Sequence, residues 1–287
     1  MRDAIVIGKG PAGISAAIYL KRAGLDVVVI GKGLGSLEKS EKIENYYGFE
    51  VPLSGKDLVE KGIAQAQKLG IEIITEEVVN ITKENDFIIK TTTKTYESKS
   101  VLIATGKARI KIDIEGFEEL KGKGISFCAV CDGFFYRNKK LGVIGNGDFA
   151  AEELHELTAF SKDITLFTNG EKIESSKFPQ DIKIVNEKIN KIIGEDKVTG
   201  ILAGETQYPL DGVFVAIGTA SASDFALKMG VFVEKDDIIV DEDFMTNVDG
   251  LFSAGDAIGG FLQVSKAVSD GAHASKGMVK YIKQSTK

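Results

Sequence analysis

The 287-residue sequence predicts an α/β protein built of two Rossmann-like domains, the second inserted in the first. Three observations predict it. A glycine-rich turn joins a short apolar run to a helical pattern at the very start, the same arrangement returns near residue 141, and each is followed by an apolar run ending in glycine.

In chain order, the strand-like run Ala4 to Ile7 leads into Gly8-Lys9-Gly10-Pro11-Ala12-Gly13. A helical pattern follows from Ile14 to Ala23, Gly24 stops it, and Val27 to Ile30 is a second apolar run. Strand, G-x-G-x-x-G, helix and strand within about 30 residues form a dinucleotide-binding unit. Its first glycine makes the tight turn and the second lets the backbone approach a pyrophosphate. The third lets the helix pack on the strand, with the phosphates at the helix N-terminus. An acidic ribose partner often ends the second strand, but Gly31 stands there, so that contact must come from elsewhere. Tyr96 to Gly106 reads as a buried strand closing on the turn Ala104-Thr105-Gly106.

The second unit begins with Leu141 to Ile144 and the turn Gly145-Asn146-Gly147-Asp148-Phe149-Ala150. Alanine in place of the third glycine is within the fingerprint's tolerance. A helix over Ala151 to about Phe160, a strand over Ile164 to Phe167 and the run Gly212 to Gly218 complete it. Near the C-terminus, Gly250 to Ala257 is another strand ending in glycine and a carboxylate, Gly255-Asp256. Gln263-Val264 and a helix from about Ser265 to Ile282 close the chain.

Composition excludes several classes. Hydrophobic content of 43% and charged content of 27% describe an ordinary globular protein. No apolar run approaches the ~20 residues of a membrane span. A strand starts at once, leaving no room for a signal peptide, so a cytoplasmic protein is expected. Net charge is −6, and Arg2, Arg22, Arg109 and Arg137 are the whole arginine complement; that balance disfavours nucleic acid.

Both cysteines fall at C-x-x-C spacing, Cys128 and Cys131, which in a reducing compartment marks a dithiol/disulfide couple. A pair of buried small hydrophobes is one alternative. Half of a zinc site is another, but only His155 and His273, 118 residues apart, remain to complete four ligands. No metal site is expected.

Taken together, the segments GKGPAG (8–13), IENYYG (43–48), ATG (104–106), CAVCDGFFYR (128–137), GNGDFA (145–150), FVAIG (214–218) and SAGDA (253–257) resemble the low-molecular-weight flavoprotein thioredoxin reductases over nearly the whole chain. The resemblance implies two FAD/NAD(P)-binding, three-layer ββα domains. The first, over 1–113 and 245–287, would hold FAD; the second, over 114–244, would be of pyridine-nucleotide type and carry the disulfide. It implies that Cys131 is the sulfur nearest the flavin, Cys128 the interchange thiol that attacks the partner, and Asp132 the acid/base of the pair. It also places Gly8, Gly10, Pro11, Ala12, Gly13, Asn45, Ala104, Thr105, Gly106, Gly255, Asp256, Gln263 and Val264 around FAD, and implies a homodimer that reduces thioredoxin.

The sequence departs from that family where NADPH-dependent members carry a histidine-arginine-arginine cluster for the 2′-phosphate. Here Ile164 to Phe167 runs into Thr168-Asn169-Gly170-Glu171, and no arginine follows Arg137. Lys172 and Lys177 are interleaved with Glu171 and Glu174, leaving no cationic clamp. The family's arginine-glutamine-alanine near the flavin becomes Leu262-Gln263-Val264. This pattern resembles the ferredoxin-dependent flavin thioredoxin reductases, which implies reduced ferredoxin as donor, with Lys107, Arg109, Lys111, Lys121 and Lys123 as candidate docking cations. The alternatives are an NAD(P)H-dependent thioredoxin reductase with an atypical pocket and a redox-sensing flavoprotein without turnover.

Overall fold

The computed structural model describes residues 1–107 and 112–285. In chain order it begins with β1 (Arg2–Ile7), α1 (Pro11–Arg22), β2 (Val27–Ile30), α2 (Gly55–Lys68), β3 (Glu72–Ile74), β4 (Val78–Lys83), β5 (Phe87–Thr91) and β6 (Thr95–Ile103). There follow α3 (Phe117–Leu120), β7 (Ile125–Ser126), α4 (Ala129–Asp132), β8 (Lys140–Ile144), α5 (Asp148–Leu157), β9 (Asp163–Phe167), β10 (Lys183–Val185), β11 (Ile189–Gly194), β12 (Val198–Ala203), β13 (Thr206–Pro209) and β14 (Gly212–Val215). The chain ends with α6 (Ala222–Lys228), β15 (Val233–Glu234), β16 (Asp237–Ile238), β17 (Leu251–Ser253) and α7 (Val264–Ser285).

These elements form two compact units, Met1–Arg109 with Ser221–Lys287, and Ile110–Ala220. In the first, the parallel strands β3-β2-β1-β6 form a sheet that β17 extends along β6. The antiparallel meander β4-β5-β6 continues from it. The continuous apolar runs noted in the sequence are the central parallel strands: Ala4 to Ile7 and Val27 to Ile30 are buried throughout. Strands covered on both faces have no reason to alternate polar and apolar residues. Helices α1 and α7 pack on this sheet, with Ala12, Ala16, Leu20, Ala274 and Met278 in a common core. The second unit repeats the plan. Parallel strands β10-β9-β8-β14-β7 carry α5, and a meander β11-β12-β13 packs its Ile192, Val198 and Ile201 into the core beside Ile144 and Val213.

The division differs from the expected junctions at 113 and 244: residues 221–244 group with the first unit. Ser221 caps α6 in a reciprocal capping box with Asp224, and the helix buries Ala222, Phe225 and Ala226. It contacts β4 and β16, and Asp237 of β16 pairs with Lys107 at 2.6 Å. The sequence signal at GLFSAGDA marks β17, the last sheet strand, and is silent about which core the preceding short elements join.

Among the described residues, no helix is long and apolar enough to cross a membrane.

Candidate active site

Two separate constellations emerge, one in each unit. In the first, Gly8 sits at φ 111°, and a Cβ there would lie 2.3 Å from the Ala104 carbonyl oxygen. The ATG segment and the glycine turn are thus pressed together, with Ala104 N–H also bonded to Ile7. Gly13 is equally constrained, since a Cβ would lie 1.9 Å from the Gly8 carbonyl. Gly10 differs: nothing stands within 4 Å of an added Cβ, and as N-cap of α1 it has no side-chain cap. Pro11 at the first helical position supplies no N–H of its own. The turn is therefore an open cradle at a positive helix end. The Thr105 hydroxyl is buried beside it without a partner among the described residues.

The C-terminal segment joins this cradle. Gly255, at φ 78°, leaves room for Ala12, whose Cβ an added methyl would meet at 2.8 Å. Its N–H is held by Asp270 at 3.2 Å and its carbonyl by Lys266 at 3.0 Å. Lys266 and Asp270 pair at 2.6 Å on α7, a clamp that no sequence motif marks. Asp256 follows in a short 3-10 turn. Asn45 donates to Gln263 at 2.9 Å, and Val264 begins α7, so these three also converge. Gly31, where an acid is often found, lies against Lys9. A Cβ there would lie 3.2 Å from Cγ of Lys9, a buried lysine whose ammonium reaches Thr75 at 3.0 Å. Burial holds the Lys9 amine below the usual lysine range.

Gly8→Ala should therefore cost at least about 3 kcal/mol of stability, combining left-handed strain with displacement of the Ala104 carbonyl. Urea unfolding of the purified variant measures it; wild-type stability would refute the close packing of this turn.

In the second unit Cys128 and Cys131 are joined, with Cα atoms 5.3 Å apart. They bracket α4, a single turn whose N-cap is Cys128, and Cys131 N–H points at Cys128 Sγ at 3.1 Å. Cys128 is 3% exposed, whereas Cys131 is exposed. Asp132 is brought to the pair through a residue sequence reasoning missed. Ser126 donates to Asp132 at 2.7 Å and accepts Cys128 N–H at 3.1 Å. Nearby Tyr136 packs edge-on against Phe214, and burial first, then the Asp132 charge, push its hydroxyl pKa up. Val130, Phe134 and Phe135 stand exposed beside the disulfide. Among the described residues no cluster of His, Cys, Asp or Glu could hold a metal ion.

The second glycine turn is built differently from the first. The segment after β9 folds across it: the Asn146 carbonyl accepts N–H bonds from Glu174 (2.9 Å) and Ser175 (3.3 Å), and its amide donates to Lys172 (2.9 Å). Ser175 donates to Asp148 at 2.6 Å, with Lys177 3.7 Å from the same carboxylate. Gly147 is buried, and its absent Cβ would point toward the Glu174 carboxylate at 4.0 Å. Thr168 and Asn169, where a ribose or phosphate partner would be sought, are occupied locally. Thr168 bonds Asn186, and Asn169 accepts Ile189 N–H at 2.8 Å.

An open flavin-type cradle and a disulfide turn on a second dinucleotide fold define a flavoprotein disulfide reductase. The chain belongs to the pyridine nucleotide-disulphide oxidoreductase family, whose model matches residues 2–271. Within it the similarity is to thioredoxin reductases. The Listeria innocua thioredoxin reductase is 35% identical, with 98% of this chain and 94% of the relative covered. The solved structure of the atypical thioredoxin reductase TRi from Desulfovibrio vulgaris Hildenborough is 32% identical with a TM-score of 0.91, covering 99% of both chains. A ferredoxin-flavin thioredoxin reductase from Clostridium acetobutylicum is 30% identical with a TM-score of 0.73, covering 100% of this chain and 99% of its own. These homologues are FAD-binding flavoproteins.

Proposed function

We propose that the protein is a ferredoxin-dependent thioredoxin reductase, working through FAD and the Cys128–Cys131 disulfide. The single observation that carries the donor is the carboxylate-flanked second turn. A nucleotide pyrophosphate there would meet the carboxylates of Asp148 and Glu174 beside Gly147, at a helix start that has, among the described residues, no cationic side chain closer than Lys177. A one-electron protein donor needs only an edge of the flavin, not that pocket.

In this reading the unit Met1–Arg109 with Ser221–Lys287 binds FAD, and Ile110–Ala220 is the pyridine-nucleotide-type unit carrying the disulfide. The open cradle at Gly10, the uncapped α1 and the buried Thr105 hydroxyl support Gly8, Gly10, Pro11, Ala12, Gly13, Ala104, Thr105 and Gly106 as the residues against the FAD pyrophosphate. Asn45, Gly255, Asp256, Gln263 and Val264 line the remainder. Bound FAD would supply the passage from single electrons to the electron pair that a disulfide takes.

Two electrons and two protons convert the disulfide to two thiols. Asp132, bonded through Ser126 to the Cys128 turn, exchanges one of those protons. Cys128 then attacks the thioredoxin disulfide, and Cys131 displaces the mixed disulfide, leaving reduced thioredoxin and the restored Cys128–Cys131 bond. The exposed apolar trio Val130, Phe134 and Phe135 supports a protein partner at this turn.

The retained G-x-G-x-x-A turn favours the second reading, an NAD(P)H-dependent reductase with an atypical pocket. An anaerobic screen of reduced ferredoxin, NADPH and NADH with purified protein and thioredoxin separates the two. Of the basic run proposed for ferredoxin docking, Lys107 is tied to Asp237 and Lys121 lies over the Phe127 ring; Lys123 is exposed. Arg109 and Lys111 lie outside the described residues.

We also expect a homodimer through the FAD-binding units. Light scattering at micromolar concentration should give twice the 30.9 kDa chain mass, and a monomer mass would refute it.

A further inference from the structure

We propose that Glu153 is a positioning residue for the Cys128–Cys131 couple. Glu153 lies on α5 and is only 1% exposed, a depth at which a carboxylate is costly unless it is hydrogen-bonded. Its Oε2 accepts the N–H of Ala129 at 2.8 Å. Ala129 is itself fully buried and is the first residue of α4, where a helix N–H has no partner within the helix.

The N–H groups of this one turn are divided between two acceptors of different kinds. Ala129 is given to Glu153, outside the turn, while Cys131 is given to the sulfur of Cys128. In the oxidised state the S–S bond also holds the turn. When the disulfide takes up two electrons and two protons, that covalent tie is lost. Glu153 and Ser126 then remain to keep the two sulfurs opposed for the next exchange.

The direction of the effect follows from the ring. Without the acceptor, the disulfide form traps a buried, unsatisfied N–H, whereas the dithiol form can open and expose it to water. Loss of the acceptor therefore favours the dithiol.

Two substitutions separate reach from charge. Glu153→Gln keeps the length and a carbonyl acceptor but loses the charge. Glu153→Asp keeps the charge but withdraws the acceptor by one methylene. The FAD-loaded, full-length proteins are equilibrated in dithiothreitol redox buffers, and thiol content is read by alkylation and mass. Glu153→Asp should shift the equilibrium about tenfold toward the dithiol, equivalent to about 30 mV, while Glu153→Gln stays within about twofold of wild type. Thioredoxin reduction should fall in the Asp variant and be restored in the Gln variant. A shift in Glu153→Gln overturns the proposal in favour of a charge effect, even if the Asp variant fails to fold, and a wild-type equilibrium in a folded Glu153→Asp overturns it as well. The inference rests on the disulfide-reductase reading, but the equilibrium reports on Glu153 whichever donor or thioredoxin-like partner proves correct.

Discussion

Cys128→Ser and Cys131→Ser should each lower thioredoxin reduction by at least about a thousandfold, because an alcohol forms neither the disulfide nor the mixed disulfide. Serine keeps nearly the same volume, and neither position belongs to the glycine cradle, so both variants should purify folded and with FAD. Their spectra should differ. Cys131→Ser should abolish any thiolate–flavin charge-transfer band, and Cys128→Ser should preserve or strengthen it, if Cys131 is the flavin-side sulfur. Cys128, the proposed interchange thiol, is the buried sulfur of the oxidised pair, so in this proposal the turn is uncovered on reduction. The reverse spectral pattern would exchange the roles of the two thiols. Substantial turnover by either serine variant would remove the disulfide from the mechanism.

The second large effect concerns the donor. NADPH should reduce the flavin at least about a thousandfold more slowly than reduced ferredoxin. A charge-assisted contact is worth about 1.5–3 kcal/mol, and a 2′-phosphate would lose two or three of them, which amounts to several orders of magnitude in binding. The 172–177 strap adds to this, because it holds the Glu174 and Asp148 carboxylates beside the second turn, where they repel a pyrophosphate. Anaerobic stopped-flow absorbance of the flavin measures each rate. With ferredoxin, which is generally acidic, the rate should fall with added salt, since a chain of net charge −6 must dock through a local cationic patch. Rapid, saturable reduction by micromolar NADPH would overturn the ferredoxin reading and leave a nicotinamide-dependent reductase whose strap opens.

Much of this architecture was legible in the residues because its signals are local. Gly8, Gly10 and Gly13 announce a turn whose geometry tolerates no side chain, and the structure shows the reason in the 2.3 Å and 1.9 Å approaches to the carbonyls of Ala104 and Gly8. The uninterrupted apolar runs Val27 to Ile30 and Val101 to Ile103 announce parallel strands, and both are fully buried. Helix ends were less well read: α5 starts at Asp148 rather than Ala151, since the turn itself supplies the first helical residues. The assignment of 221–244 was not legible, because α6, β15 and β16 are short and which core they join depends on packing against β4.

The sequence by itself determined the two glycine turns, the single dithiol pair and the absence of an arginine clamp after Arg137, since each is a matter of residue type at fixed local spacing. Only the tertiary structure decided what surrounds them. It set Ser126 between Cys128 and Asp132, Glu153 against Ala129, Lys9 in the space that Gly31 leaves, and the 172–177 strap over the second turn. Those contacts join residues up to 29 positions apart through the folding of strands and helices that the motifs do not name. The same G-x-G pattern can therefore end bare, as at Gly10, or beside carboxylates, as at Gly147, according to which later segment the chain brings back across it.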